Sequence, residues 1–480
     1  MIIIKFGGTS VGDADRVANA IDIVAERRDL HPIVVVSALA GVTNDLVAAS
    51  EAARSSDIER VNQIVNAIRQ RHEDVAMRLV QQKFDFFESF IKQLDKHIEQ
   101  IHTILRGIAL LGEITLRAKD KVVAIGEKLS SVLFAYSMMM RALPGEHVDS
   151  EEVVITDNRF GEANPQMDET REAARRVLLP LIGRNLIPVM GGFIGRSRDG
   201  ATTTLGRGGS DYSAAIVGAA LGVDEIQIWT DVDGMMTCDP RLIPGARVIE
   251  RLSYVEAAEL AWFGAKVLHP RTIAPAVAQQ IPIRVLNTHN VSSPGTLITE
   301  EGDPREAGPR AVAVKRGITV VHMTSNTMLG AHGFLARLFA IFEELEISVD
   351  LITTSEVSVS VTIDEKHNLT RLIERLAPVA EAEVLDNRCI VAVVGRNLMR
   401  DSAVGARVFE AMRGVPMSMF SLGTSGLNLS IVVNETDADR AVRAIHAALF
   451  EGVIPSRGDG EGSAAQVRKG SLAPLGMTKK

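Results

Sequence analysis

The chain has 480 residues, a formal charge of -8, 46% hydrophobic and 4% aromatic side chains. That length exceeds one core and suggests about three domains, while an acidic balance without a basic face and few rings argues against nucleic acid as a partner. No run approaches ~18 apolar residues, M-I-I-I-K-F-G-G is too short for a signal core, and Cys238 and Cys389 form no C-x-x-C, so a cytoplasmic, membrane-free protein with reduced thiols is expected.

Residues 2–6 form a short apolar run broken by Gly7 and Gly8, followed from Asp13 by an amphipathic helix to about Arg28 and a second buried strand at 32–37. Strand, glycine turn, helix, strand is the rhythm of a parallel α/β sheet, whose ligands gather at the carboxyl ends of the strands. Lys5, Ser37 and Thr43 stand at or near those ends. A lysine inside an apolar strand is costly unless its ammonium meets an anion, so Lys5 is expected to face a site. Residues 46–116 read as structural helices. Residues 122–126 are expected to be a strand leading to Glu127 at the start of a helix, and 187–194 the next strand.

Thr202 to Tyr212, T-T-T-L-G-R-G-G-S-D-Y, has the composition of a site. Gly206, Gly208 and Gly209 let backbone amides approach an anion, Arg207 adds a planar fork for carboxylate or phosphate, and a small-residue helix follows with its amino terminus toward the same place. A negatively charged substrate is expected here. The chain has no G-x-x-x-x-G-K-[ST], and G-R-G-G-S-D lacks the third glycine of the dinucleotide fingerprint. A strand at 225–229 then leads into T-D-V-D-G-M-M-T-C-D-P-R, whose polar start suits a ribose or base. Its D-x-D-G lacks the spacing of a calcium loop. In F-G-A-K-V-L-H-P, Lys266 is placed to reach a phosphate and His269 reads as a structural cap.

Pro and Gly around 294–309 mark a linker, followed by an internal repeat offset by about 70 residues. Strands at 318–323 and 389–394, helices at 335–345 and 403–412, strands at 347–352 and 415–422, and strands at 356–363 and 427–433 correspond. Such ferredoxin-like units have an open sheet edge that invites pairing. After Pro455 the tail has too little apolar content to fold.

K-F-G-G-T-S (5–10), T-T-T-L-G-R-G-G-S-D-Y (202–212), W-T-D-V-D-G (229–234) and F-G-A-K-V-L-H-P (263–270) occur in the order found in the aspartate kinases of the amino acid kinase family, which the chain resembles over about residues 1–452. The resemblance implies an α/β fold: an amino acid kinase unit with a parallel-rich sheet and helices on both faces at 1–299, a linker at 300–315, two ferredoxin-like βαββαβ ACT domains at 316–388 and 389–452, and a disordered tail at 453–480. It implies transfer of the γ-phosphoryl of ATP, with Mg²⁺ carried by the phosphates and no resident metal site, to the side chain of L-aspartate. Lys5, Asp211 and Arg207 would be catalytic. Arg207 would hold the substrate α-carboxylate, Glu127 its amine, and Ser37 and Thr43 would add hydrogen bonds. Lys5, Gly7, Gly8, Gly208, Gly209, Ser210, Thr230, Asp231, Met236, Arg241 and Lys266 would face the nucleotide, with Met236 where the family often has an aromatic residue.

Residues 347–358 resemble the lysine-inhibited members. Asp350 and Glu356 are the anions expected to meet an effector's ammonium groups, within a set that the resemblance extends to Met328, Phe334, Leu335, Ser348, Val349, Thr354 and Ser355. L-lysine binding at a dimer interface between ACT domains, in a homodimer or tetramer, is expected, with threonine as the other effector considered. A non-catalytic amino acid sensor would show damage among Lys5, Arg207, Glu127 or Asp211, and all four are present. Because the chain stops soon after the second repeat, no appended dehydrogenase is expected.

Overall fold

The computed structural model describes residues 1–80, 84–264, 268–303, 307–364, 368–398, 400–423 and 425–451. Its largest sheet has eight strands in the order Gly145–Val148, Ile187–Gly191, Pro32–Val36, Ile2–Phe6, Glu225–Thr230, Ile283–Asn287, Thr296–Thr299 and Arg251–Ser253. Neighbours pair in parallel except at Ile283–Asn287 with Thr296–Thr299. A parallel sheet must be covered on both faces, and the alternation of the first strand shows how this is done. Ile2, Ile4 and Phe6 pack into one core with the helices Ala14–Glu26, Val42–Arg54, Ile58–Leu79, Phe84–Leu111 and Leu116–Met140. Ile3 packs into a second core with the helix Gly209–Leu221. The period of two therefore puts Lys5 on the face of Ile3, where its stem runs toward the start of Gly209–Leu221.

Residues 122–126 are helical, not a strand. They lie inside Leu116–Met140, where Thr115 caps the start by accepting the Ala118 N–H and where both sides of the helix are buried. A fully buried helix has the same continuous apolar run as a buried strand, so periodicity does not separate them. This helix is also long and apolar enough to cross a membrane by composition, but 83% of its apolar window is buried inside the protein. The strand expected at 187–194 is interrupted: Ile187–Gly191 and Ile194–Ser197 join different sheets, and Phe193 between them has φ of 66°.

The repeat builds one continuous six-stranded antiparallel sheet, ordered Ile352–Thr354, Ser358–Ile363, Gly308–Thr324, Glu381–Arg396, Asn428–Asn434 and Met417–Leu422. Its two long central strands serve both halves. Residues 319–324 pair with Ser358–Ile363, whereas 308–315 pair with 390–396, which in turn pair with Asn428–Asn434. Residues 308–315, expected to be linker, are thus a strand of the second half, and the register shifts between Lys315 and Ile318 where the halves meet. The strand expected at 347–352 is shorter and later, at Ile352–Thr354. Helices Phe334–Glu344 and Ser402–Ala411 correspond, as do Leu369–Leu376 and Ala438–His446. The tail at 453–480 lies outside the described residues.

The helix Tyr254–Trp262 joins the two halves of the molecule. Buried Arg310 reaches Glu256 at 3.4 Å, Asn428 donates to Glu259 at 2.6 Å, and the Lys315 ammonium lies 4.9 Å from the centre of the Trp262 ring.

Candidate active site

Two cavities flank the carboxyl ends of the central strands. The first, about 510 Å³, is lined by Lys5, Gly8, Thr9, Ser37, Thr43, Asn44, Glu127, Phe193, Gly208, Gly209, Ser210 and Asp211, among others. Lys5 is 7% exposed and its ammonium sits 2.6 Å from Asp211 in the first turn of Gly209–Leu221. The pair fixes a cation where a strand end meets a helix amino terminus, both suited to an anion. Gly208 makes the junction possible: it precedes the helix at φ of 69°, and a Cβ there would lie 2.8 Å from Thr272. At Gly8 a Cβ would lie 2.8 Å from the Ala38 carbonyl, so only glycine lets the first two strand-end loops approach this closely.

Glu127 is buried on the helix Leu116–Met140, and desolvation pushes its carboxyl up to about 8, against the opposing pull of an Ala38 amide and the Lys5 charge. One oxygen, Oε2, is buried without a hydrogen-bond partner. A buried carboxyl with an unsatisfied oxygen on a cavity wall lacks a counter-charge, and an incoming cation would supply it by favouring the ionised form.

Two expected contacts differ. The Gly7 N–H is already donated to the Trp229 carbonyl at 3.1 Å, because the parallel ladder continues one residue past the strand end. Gly7 therefore shapes the turn and does not offer that amide to a ligand. Arg207 is exposed and is absent from the cavity wall, although Gly206 and Gly208 on either side belong to it.

The second cavity, about 520 Å³, is lined by Thr230, Asp231, Met236, Cys238, Asp239, Arg241 and Gly264, among others, and on its far side by residues 311–314 of the six-stranded sheet. Thr230, Asp231, Met236 and Arg241 are thus brought together as expected. Arg241 is held by Asp239 at 2.6 Å and projects outward. Cys238 forms no disulfide, and burial pushes its thiol up to about 11, so it serves the wall as a small apolar group. Lys266 lies outside the described residues. His269 caps the helix Pro270–Ala278 by accepting the Arg271 N–H.

Residues 1–287 match the amino acid kinase family, and residues 321–369 and 391–449 match the ACT domain. Aspartokinase 2, chloroplastic, of Arabidopsis thaliana is 38% identical over 94% of this chain and 84% of its own length. The lysine-sensitive aspartokinase 3 of Escherichia coli K12 is 37% identical over 94% of this chain and 99% of its own. The chain belongs to the aspartokinases of the amino acid kinase family. The crystal structure of E. coli aspartokinase III with aspartate and ADP, in the R-state, superposes with a TM-score of 0.82 at 36% identity, covering 94% of this chain and 100% of that one. Its T-state, with lysine and aspartate, gives 0.77 at the same identity and covers 99% of that chain.

Within this aspartokinase fold, several contributors carry no motif. Buried Asp120 accepts from Thr204 N at 2.9 Å, Thr204 Oγ1 at 2.8 Å and Gly161 N at 2.9 Å, pinning the T-T-T segment ahead of the glycine loop. Phe193 and Asn44 line the first cavity, beside Thr9 of the first motif. A buried acid in an apolar helix was the one signal available for Asp120.

In the regulatory half, Asp350 is not an open anion. Its side chain is 1% exposed and receives the Lys315 ammonium at 2.7 Å, with Asp364 sharing that ammonium at 3.2 Å. Burial raises the Asp350 carboxyl above the ordinary range, with Lys315 opposing. Glu356, Thr354, Ser355 and Ser348 are exposed, Leu335 is 39% exposed, Val349 and Met328 are half-buried, and Phe334 is buried against the first-half core.

Proposed function

We propose that the chain phosphorylates the side-chain carboxylate of L-aspartate, with ATP as donor and 4-phospho-L-aspartate and ADP as products. The observation that carries this reading is the buried Lys5 ammonium, held by Asp211 on the wall shared with Glu127 and the glycine loop. The acceptor is ionised at neutral pH, since an ordinary carboxylate titrates near ~3.9, so no general base is required. A carboxylate oxygen attacks the γ-phosphorus while the bond to the β-phosphate oxygen breaks and its electron pair leaves with ADP. The barrier is repulsion between two anions, and charge placed in advance lowers it. Lys5 faces the transferring group, Asp211 fixes the ammonium, Glu127 takes the substrate ammonium, and Ser37 and Thr43 position the acceptor. Arg207, exposed at the rim between Gly206 and Gly208, offers its guanidinium to the α-carboxylate.

Thr230, Asp231, Met236 and Arg241 bound the nucleotide cavity. Among the described residues no group of three or more His, Cys, Asp or Glu side chains forms a metal cage. Mg²⁺ would enter on the ATP phosphates and offset their charge, and Asp211 is the carboxylate on the Lys5 wall that would help hold it.

Residues 1–299 act as the catalytic unit, and the sheet beginning at 308 as the regulatory one. L-lysine acts as effector in the region of Met328, Phe334 and 348–356, and chains pair as a homodimer through the exposed edge at Ile352–Thr354. The E. coli relative's structure with lysine supports the effector, and the exposed side chains of the edge strand Ile352–Thr354 support pairing. The two buried, unbridged cysteines suit the cytoplasm. Trapping the acyl phosphate with hydroxylamine tests the reaction: aspartate hydroxamate should accumulate with ATP and aspartate, and its absence alongside ADP release would overturn the assignment.

A further inference from the structure

Buried Thr237 connects the nucleotide cavity to the last helix of the regulatory half by hydrogen bonds. Met236 and Cys238 both line that cavity, and Thr237 between them is buried. Its backbone N–H donates to the Arg247 carbonyl at 2.9 Å, and its own carbonyl accepts from Val312 of the regulatory sheet at 2.8 Å. Its hydroxyl accepts the Arg247 N–H at 3.0 Å and lies 3.1 Å from Nε2 of His446. With one lone pair taken by Arg247, the hydroxyl proton is best used toward Nε2, which makes neutral His446 the Nδ1–H tautomer. Nδ1 faces Glu451 Oε1 at 3.6 Å.

His446 is itself held firmly. It is 3% exposed, ends the helix Ala438–His446, and lies 4.8 Å from the Phe450 ring, centre to centre. The next five residues, Ala447–Glu451, wind as a π-helix, a form that recurs at functional positions. Arg247 Nη2 reaches back to the Phe450 carbonyl at 3.4 Å. The chain end is therefore tied to Thr237 directly through His446 and to its hydrogen-bond partner Arg247 through Phe450, although more than 200 residues separate the partners in sequence.

We propose that His446 is a positioning residue for the nucleotide: through Thr237 it sets the place of the Met236–Cys238 wall, so a side chain of the regulatory half tunes ATP binding. This rests on the nucleotide reading of the second cavity. His446→Ala should raise KM for ATP about five- to tenfold, the scale of one buried hydrogen bond, while kcat and KM for aspartate stay within about twofold. His446→Gln, which can place its amide near the Nε2 position, should restore most of the loss. Thr237→Val should reproduce the alanine effect, and adding His446→Ala to Thr237→Val should change ATP binding no further. Equal shifts in both Michaelis constants, no shift for ATP, or an undiminished His446→Ala effect on the valine background would each overturn the proposal. If His446→Ala does not fold, Thr237→Val and His446→Gln decide it: a normal ATP KM in Thr237→Val refutes it. Calorimetric titration with ADP separates this from the premise, since Val314→Trp, which fills the cavity, should abolish ADP binding; unchanged binding there would refute the nucleotide reading itself.

Discussion

Glu127 makes the pH dependence of substrate binding calculable. In the unliganded site its carboxyl titrates at about 8, chiefly through desolvation. At pH 7 roughly one molecule in ten carries the charge that an incoming ammonium needs, and at pH 6 about one in a hundred. If binding requires the ionised form, KM for aspartate should fall by tens of fold between pH 6 and 8, then level off. The stability of the empty enzyme should move the opposite way. The folded state holds this proton more tightly than the unfolded chain, so the contribution is complete below about 4.5 and is lost as pH rises from there through about 8. The slope is at most ~1.4 kcal/mol per pH unit from this group. Thermal melts and initial rates at half-unit intervals, for the parent and Glu127→Gln, measure both. The variant should lose the stability slope and bind aspartate poorly at every pH. A flat aspartate KM from pH 6 to 8, or a Glu127→Gln enzyme that keeps the parent's slope, would refute the reasoning.

Other expectations follow from the same geometry. Asp120→Ala leaves two buried donors at Thr204 and a part-buried one at Gly161 unpaired and should cost about 3 kcal/mol in urea unfolding, with a loss of activity that tracks the glycine loop. Arg310→Met removes the cation facing Glu256 Oε1 at the seam while Ser253 still serves Oε2, and a loss of about 2 kcal/mol is expected by the same measurement. Lys315→Ala frees Asp350 and Asp364 from their internal ammonium, so inhibition by L-lysine should strengthen several-fold if the effector uses Asp350; an unchanged half-inhibitory concentration would exclude Asp350 from that site.

Much of the site could be read before the fold was known, and the reasons are physical. Lys5 stood out because burying an ammonium in an apolar strand needs an anion, and Asp211 is that anion. The glycine loop stood out because its composition suits nothing but close backbone approach. The strand expected at 122–126 became helix because burial on all sides erases the period that separates the two. Gly7 was expected to face the nucleotide, yet the ladder to Trp229 takes its amide. Asp350 was read as an open anion because its partner, Lys315, lies 35 positions away on a strand that sequence placed in a linker. That strand was obscured by the Pro and Gly residues just before it, and its partner at 390–396 is fixed only by tertiary pairing. The contact between His446 and Thr237, 209 positions apart, left no local pattern to find.

The account depends on fixed positive charge bringing two anions together. ADP release measured with aspartate, with glutamate and with no acceptor, in the parent and in Lys5→Ala, tests this most directly. Aspartate-dependent release that falls by about a hundredfold or more in kcat in the variant is the predicted result. Release that ignores the acceptor, or a Lys5→Ala enzyme as fast as the parent, would contradict it.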